Sequence, residues 1–168
     1  MTREGLANLK LLVRNLENGY LMKKDSDGKL IQVKFDLNKP LDFHELVEAK
    51  LMNSIKLPES YESFLQTYNG GKLYNYENLD GYKLLSIDEI KRITNDVATA
   101  YEDDWLENIL IFAEIIGEGN YLAFDFSRNC AILDCYHEEI PKNWSTICKD
   151  FDTWLNKLIE SNGEKFWL

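Results

Sequence analysis

The side chains of this sequence that could do chemistry are two histidines, three cysteines and several clustered carboxylates. Cys135 and His137 are two apart in a stretch that reads as strand, so both point to one face, the arrangement a thiolate–imidazole pair needs. The same alternation groups Cys135 with Ala131 and Leu133, which marks that face as core and argues against a nucleophile. His44 falls in the first turn of a predicted helix, with no partner to take or give a proton. Cys130, Cys135, Cys148 and His137 carry the atoms of a zinc site. The paired C-x-x-C spacing is absent, however, and Cys130 and Cys135, five apart in strand, point to opposite faces. Gly117-Glu118-Gly119 lacks the third glycine, the lysine and the following helix of a phosphate loop, and Glu118 would repel phosphate. Asp25-Ser26-Asp27-Gly28 has the look of a calcium-loop fragment, but its glycine comes two positions early and position 36 is Asp36. Both stretches read as hairpin turns. No catalytic residue, metal site or cofactor is expected.

The cluster Glu102-Asp103-Asp104 beside Trp105 forms no metal site by spacing. Two readings of it stay open. One is a solvated loop. The other is an interface patch, in which carboxylates steer a basic partner and the tryptophan anchors it. Asp80, Glu118, Glu138 and Glu139 sit on predicted loops and strand ends and extend that surface, with Tyr121 next to the glycine turn as a further candidate. The formal net charge of −10, from 29 acidic and 19 basic residues, favours a basic partner. It argues against nucleic acid and against anionic membranes, which both call for a basic face.

These residues need a scaffold, and 168 residues suffice for one self-supporting core. Residues 3–17 read as a helix with Leu6, Leu9, Val13 and Leu16 on one face. Tyr20–Lys24 and Leu30–Phe35 read as a hairpin. A second helix starts at Asp42, with Phe43, Leu46, Val47 and Leu51 as its buried face. In the third, Pro58 suits the first helical position, Tyr61, Phe64, Leu65 and Tyr68 form one stripe, and Asn69-Gly70-Gly71 stops it. Tyr82–Leu85 reads as a short strand. Ser86 and Glu89 make a capping box for a fourth helix, with Ile87, Ile90 and Ile93 inward. Ile109–Ile116, Asn120–Phe126 and Cys130–Tyr136 read as strands joined by turns short enough to force antiparallel pairing. In the middle one Leu122, Phe124 and Phe126 share a face. The last helix starts near Asp150 and buries Phe151, Trp154, Leu155, Leu158 and Ile159. This order predicts an α+β fold, an antiparallel-rich twisted sheet with helices packed mainly on one face.

Leu57-Pro58, the aromatic helix ending in Phe64-Leu65 and the Asn69-Gly70-Gly71 stop resemble the signature of the SUKH superfamily, which includes the Smi/Knr cell-wall regulators. Leu84-Leu85-Ser86-Ile87-Asp88-Glu89, the run from Ile115 to Asp125, Tyr136-His137-Glu138-Glu139 and Phe151-Asp152-Thr153-Trp154-Leu155 follow in the family's order. The departure is Gly119-Asn120, where many members carry Gly-Asp or Gly-Gly. The resemblance covers residues 43–160 and leaves 1–37 outside it; the length of the chain predicts a single domain over 1–168, and the join at Phe35–Pro40 marks 1–37 as an N-terminal helix–hairpin extension.

The resemblance further implies a non-enzymatic binding protein of the bacterial immunity type, which neutralises a polymorphic toxin by direct contact. The alternative it implies is a regulatory scaffold for a cellular partner, with no toxin involved. No standard list of binding residues carries over. No apolar run nears the ~20 residues of a membrane helix, and Lys10 and Arg14 flank the short run Leu11-Leu12-Val13. With an odd cysteine count, the expected compartment is the cytoplasm.

Overall fold

Every strand of the sheet pairs antiparallel with the next strand in the chain, so the order is β1-β2-β3-β4-β5-β6-β7-β8 with no crossover. The computed structural model describes residues 3–168. The strands are β1 (Tyr20–Lys24), β2 (Leu30–Leu37), β3 (Gly71–Tyr76), β4 (Asp80–Leu84), β5 (Ile109–Ile115), β6 (Asn120–Asp125), β7 (Ala131–Cys135) and β8 (Ser145–Cys148). The helices are α1 (Glu4–Arg14), α2 (Phe43–Asn53), α3 (Glu59–Thr67), α4 (Ile87–Tyr101) and α5 (Phe151–Glu160). The predicted α+β class is the one observed.

One sheet face carries α3 and α5. Tyr61, Phe64, Phe112, Phe124, Phe151 and Trp154 meet there and are wholly shielded from solvent. The Tyr61 hydroxyl donates to the Leu85 carbonyl at 2.6 Å and lies 3.2 Å from that of Phe112, so helix and sheet are tied by a buried polar link. Burial pushes the Tyr61 phenol well above its ordinary pKa, and the Glu89 charge adds to the effect. Asn69 and Gly70 hold the other end of α3. The Asn69 side-chain oxygen accepts from the Ile87 N–H at 3.0 Å. Gly70 has φ +79°, and a Cβ there would stand 2.6 Å from Ser86 N, so only glycine fits. The motif Leu-Pro to Asn-Gly-Gly is therefore architecture, clamping α3 to the start of α4.

On the opposite face α4 covers β5–β7. A bulge between Ile111 and Ala113 breaks the β5 ladder, and the Thr94 hydroxyl on α4 takes up the freed Ile111 N–H at 3.0 Å. Glu89 reaches back to the Ser86 N–H at 3.0 Å, completing the expected capping box.

Residues 3–37 join the same structure. β2 pairs with β3, and α1 lies on α5 so closely that a Cβ at Gly5 would sit 2.2 Å from the Asp152 carbonyl oxygen. The Asp152 carboxylate accepts from the Gly5 and Leu6 N–H groups at 3.0 and 3.1 Å, capping α1 from another helix. Lys23, buried on β1, pairs with Glu164 at 2.7 Å.

Several expectations are corrected. The buried face assigned to α2 is mostly wrong: Phe43, Val47 and Leu51 are 67%, 38% and 76% exposed, and Leu46 alone of that set is buried. Periodicity shows that a stripe exists, not which side of the helix is opposed. Here Leu41 and Ile55, buried at the two ends, and the Lys50–Glu62 ion pair fix the helix. Pro58 is the N-cap rather than the first helical residue. β3 and β8 lie where no strand was expected. Phe126 leaves its strand for a 3₁₀ turn, and Cys130, with φ +61°, precedes β7 rather than opening it. The first helix ends at Arg14 and the second strand reaches Leu37.

Candidate partner-binding site

Trp144 organises the surface on which most of the predicted site residues lie. Its ring is buried, and its indole N–H is shared between the carbonyls of Tyr136 at 3.1 Å and Glu139 at 3.2 Å. This fixes the loop that carries Glu138 and Glu139. Tyr101, the last residue of α4, meets the Trp144 ring edge-on with centroids 5.3 Å apart. Trp105 meets it at 6.1 Å and 75°. One ring therefore joins the end of α4, the following acidic turn and the β7–β8 loop.

Glu102, Asp103 and Asp104 form an exposed 3₁₀ turn directly after α4. Trp105 is half-buried against the protein's own core, so only part of its ring is open to a partner. Tyr121 stands opposite Cys135 in the β6–β7 ladder. Both line a cleft of about 400 Å³ whose other walls include Val97, Ala100 and Tyr101 of α4, with Trp144. Glu138 is exposed and accepts from the Tyr136 hydroxyl at 2.6 Å. Glu139 accepts from the Asn143 amide at 2.9 Å.

Glu118 lies across a second cleft from Glu139 and Trp144. Its carboxylate is paired with Lys165 and also accepts from Asn120 at 3.1 Å. It lines that cleft, of about 600 Å³, with Asp134 and the C-terminal Trp167. The Trp167 indole N–H donates to one Asp134 oxygen at 2.9 Å, while the other oxygen is buried without a partner.

The two chemical candidates on this face are occupied otherwise. Burial holds the Cys135 thiol well above its ordinary pKa, and the Asp134 charge raises it further, so the thiolate is disfavoured. The His137 ring and its backbone N–H both bond the Asn120 side-chain oxygen, at 2.7 and 3.0 Å. Asp125, the aspartate of the family pattern, accepts from Ser127 and Asn108, the latter at 2.6 Å, which makes it a turn cap. Burial works against its charge, but those hydrogen bonds and Arg128 hold its carboxyl below the usual range.

Sequence reasoning missed Trp144, Tyr101, Val97 and Ala100. A signal for part of this was present: Ile90, Ile93, Val97 and Tyr101 continue one apolar stripe past the point where the predicted face ended.

The chain resembles Immunity protein RhsIB of Dickeya dadantii (strain 3937), at 25% identity over 166 residues, covering 90% of this chain and 99% of that protein. That span is wider than the Smi/Knr pattern, so it takes in part of the N-terminal helix–hairpin as well. The model of the SMI1 / KNR4 family (SUKH-1) matches residues 40–157, from the approach to α2 into α5. Its bounds enclose the α3 clamp, the capping box, the β5–β7 meander and Trp154, and the chain belongs to the SMI1 / KNR4 (SUKH-1) family.

Proposed function

We propose that this chain is an immunity-type protein: a non-enzymatic, cytoplasmic binder that neutralises a cognate toxin by direct contact. The likeness to Immunity protein RhsIB along nearly the whole of both chains carries the reading. The partner is a basic toxic domain encoded nearby, met by the surface around Trp144: Glu102, Asp103, Asp104, Trp105, Tyr121, Glu138 and Glu139. Its acidity supports such a partner and disfavours nucleic acid and membrane surfaces. Glu118 belongs to the edge of this surface at most, because Lys165 already neutralises it.

Co-expression tests the proposal. Cells making the neighbouring toxic domain survive with the wild-type chain and die when Asp103→Lys, Asp104→Lys and Trp105→Ala are combined. If the wild-type chain protects no cell from any neighbouring toxic domain and binds none, the chain is a family scaffold for another cellular partner.

A further inference from the structure

We propose that the cleft between the last turns of α4 and strands β6–β7 receives an arginine side chain of the partner. The proposal rests on the immunity reading for the partner, but not for the ligand chemistry. The walls are flat and largely uncharged: Tyr101, Tyr121 and Trp144 with Val97, Ala100 and the neutral Cys135 thiol. No lysine or arginine lines it. Asp96 lines the cleft, and its contact with Arg92 is a loose one, 3.7 Å between two exposed side chains. The last turn of α4 has no basic residue, so the partial negative charge at that helix end is uncompensated, and Glu102, Asp103 and Asp104 follow directly. A cation entering here meets the Asp96 carboxylate and the negative end of α4, with the His137 ring, held by Asn120, as the other polar wall. The walls choose between cations. A guanidinium is planar, weakly hydrated and stacks on aromatic faces, whereas an ammonium would have to shed a tighter water shell. An apolar anchor would fill the cleft but leave the carboxylates unneutralised.

The probes are Nα-acetyl-argininamide, its neutral near-isostere Nα-acetyl-citrullinamide and the apolar Nα-acetyl-norleucinamide, titrated into the full chain and followed by NMR. The argininamide is expected to shift the Trp144 indole N–H and the Tyr101 and Tyr121 rings, with a dissociation constant on the order of 10 mM. The other two should leave these signals in place. Ala100→Phe, at an exposed helix position lining the cleft, plugs it without touching the core and abolishes the shifts. Equal shifts with norleucinamide, or argininamide shifts confined to Glu102–Asp104, overturn the proposal. In the complex with the toxic domain, Ala100→Phe should weaken binding by about tenfold at unchanged melting temperature. If the toxin is neutralised equally well by Ala100→Phe, the cleft assignment fails and the immunity reading stands. If argininamide enters the cleft but no toxic domain binds the chain, the immunity reading fails and the cleft assignment stands.

Discussion

Two aromatic clusters occupy opposite faces of one sheet, and they differ in closure rather than in chemistry. Under α3 and α5, Phe112 and Phe124 stack at 4.3 Å and Tyr61 meets Phe151 at 4.9 Å, with all four rings at 0 or 1% exposure. Beyond the end of α4, Tyr101, Trp105 and Trp144 pack edge-to-face at 5.3 and 6.1 Å, but only Trp144 is buried. The closed cluster converts its area into folding stability. The open one keeps part of its area for contact. The residues that mark the family, Tyr61, Phe64, Asn69 and Gly70, belong to the closed cluster or to its clamps. The aromatic-helix and Asn-Gly-Gly part of the family signature thus reports the fold, while the open face is built from other parts of the chain.

The comparison breaks most visibly at Phe64. Phe64→Ala should lower the free energy of unfolding by ~3–5 kcal/mol in a urea titration, as truncation of a wholly buried aromatic does. Trp105→Ala, half-buried, should cost no more than about 2 kcal/mol in the same titration. Equal losses would mean that the open cluster is core. In binding the order reverses: Trp105→Ala should weaken the partner complex by ~2 kcal/mol or more, mainly through faster dissociation seen by surface plasmon resonance.

Tyr61→Phe sharpens the contrast inside the closed cluster. It keeps the ring and removes the donor to Leu85, leaving a buried carbonyl short of a partner, and should cost about 1–2 kcal/mol by denaturation. Changing Asp103 and Asp104 together to lysine should leave the melting temperature nearly unmoved. It should slow association more than it speeds dissociation, with the difference shrinking as salt is raised. A change in the dissociation rate alone would place those carboxylates inside the contact rather than on its approach.

The smallest effect concerns acid. The cap at the start of α4 is ionic. Partial burial works against the Glu89 charge, but bonds from Lys83, at 2.7 Å, and Ser86 outweigh it and hold the carboxyl below its ordinary 4.5. A lowered folded-state pKa contributes stability that is present above the unfolded value and is lost as pH falls through the folded one. Below about pH 4.5 protection against hydrogen exchange should therefore fall first in α4, before α3. Glu89→Gln should remove that part of the pH dependence.

Much of this was legible along the chain, because local rules decide it. The Ser86 capping box, the Asn69-Gly70-Gly71 stop, the α5 stripe and the short turns between β5, β6 and β7 involve residues a few positions apart, and their spacing alone implies the geometry. Along the site, the exposed carboxylates Glu102, Asp103 and Asp104 were equally readable, since a polar run before a strand has nowhere to be but the surface.

Tertiary structure decided what depends on who stands opposite. The stripe Phe43, Val47, Leu51 was visible as a pattern, yet the pattern carries no information about which side of α2 meets the core, and it faces solvent. β3 escaped notice because one of its partners, β2, lies far away in sequence, as with Asp36 opposite Lys72, and because its hairpin with β4 is broken in register between Leu73 and Tyr76, which blurs the alternation. Glu118 looked like a free charge until Lys165, distant in the chain, turned out to neutralise it. Trp144 became the centre of the site only when three separate segments converged on its ring. By itself, then, the sequence determined the helices, six of the eight strands, the two capping boxes and the family resemblance, because those rest on contacts within a few residues. Partnership across the sheet, and with it the open aromatic cleft, was decided by long-range packing, where spacing along the chain says nothing about distance in space.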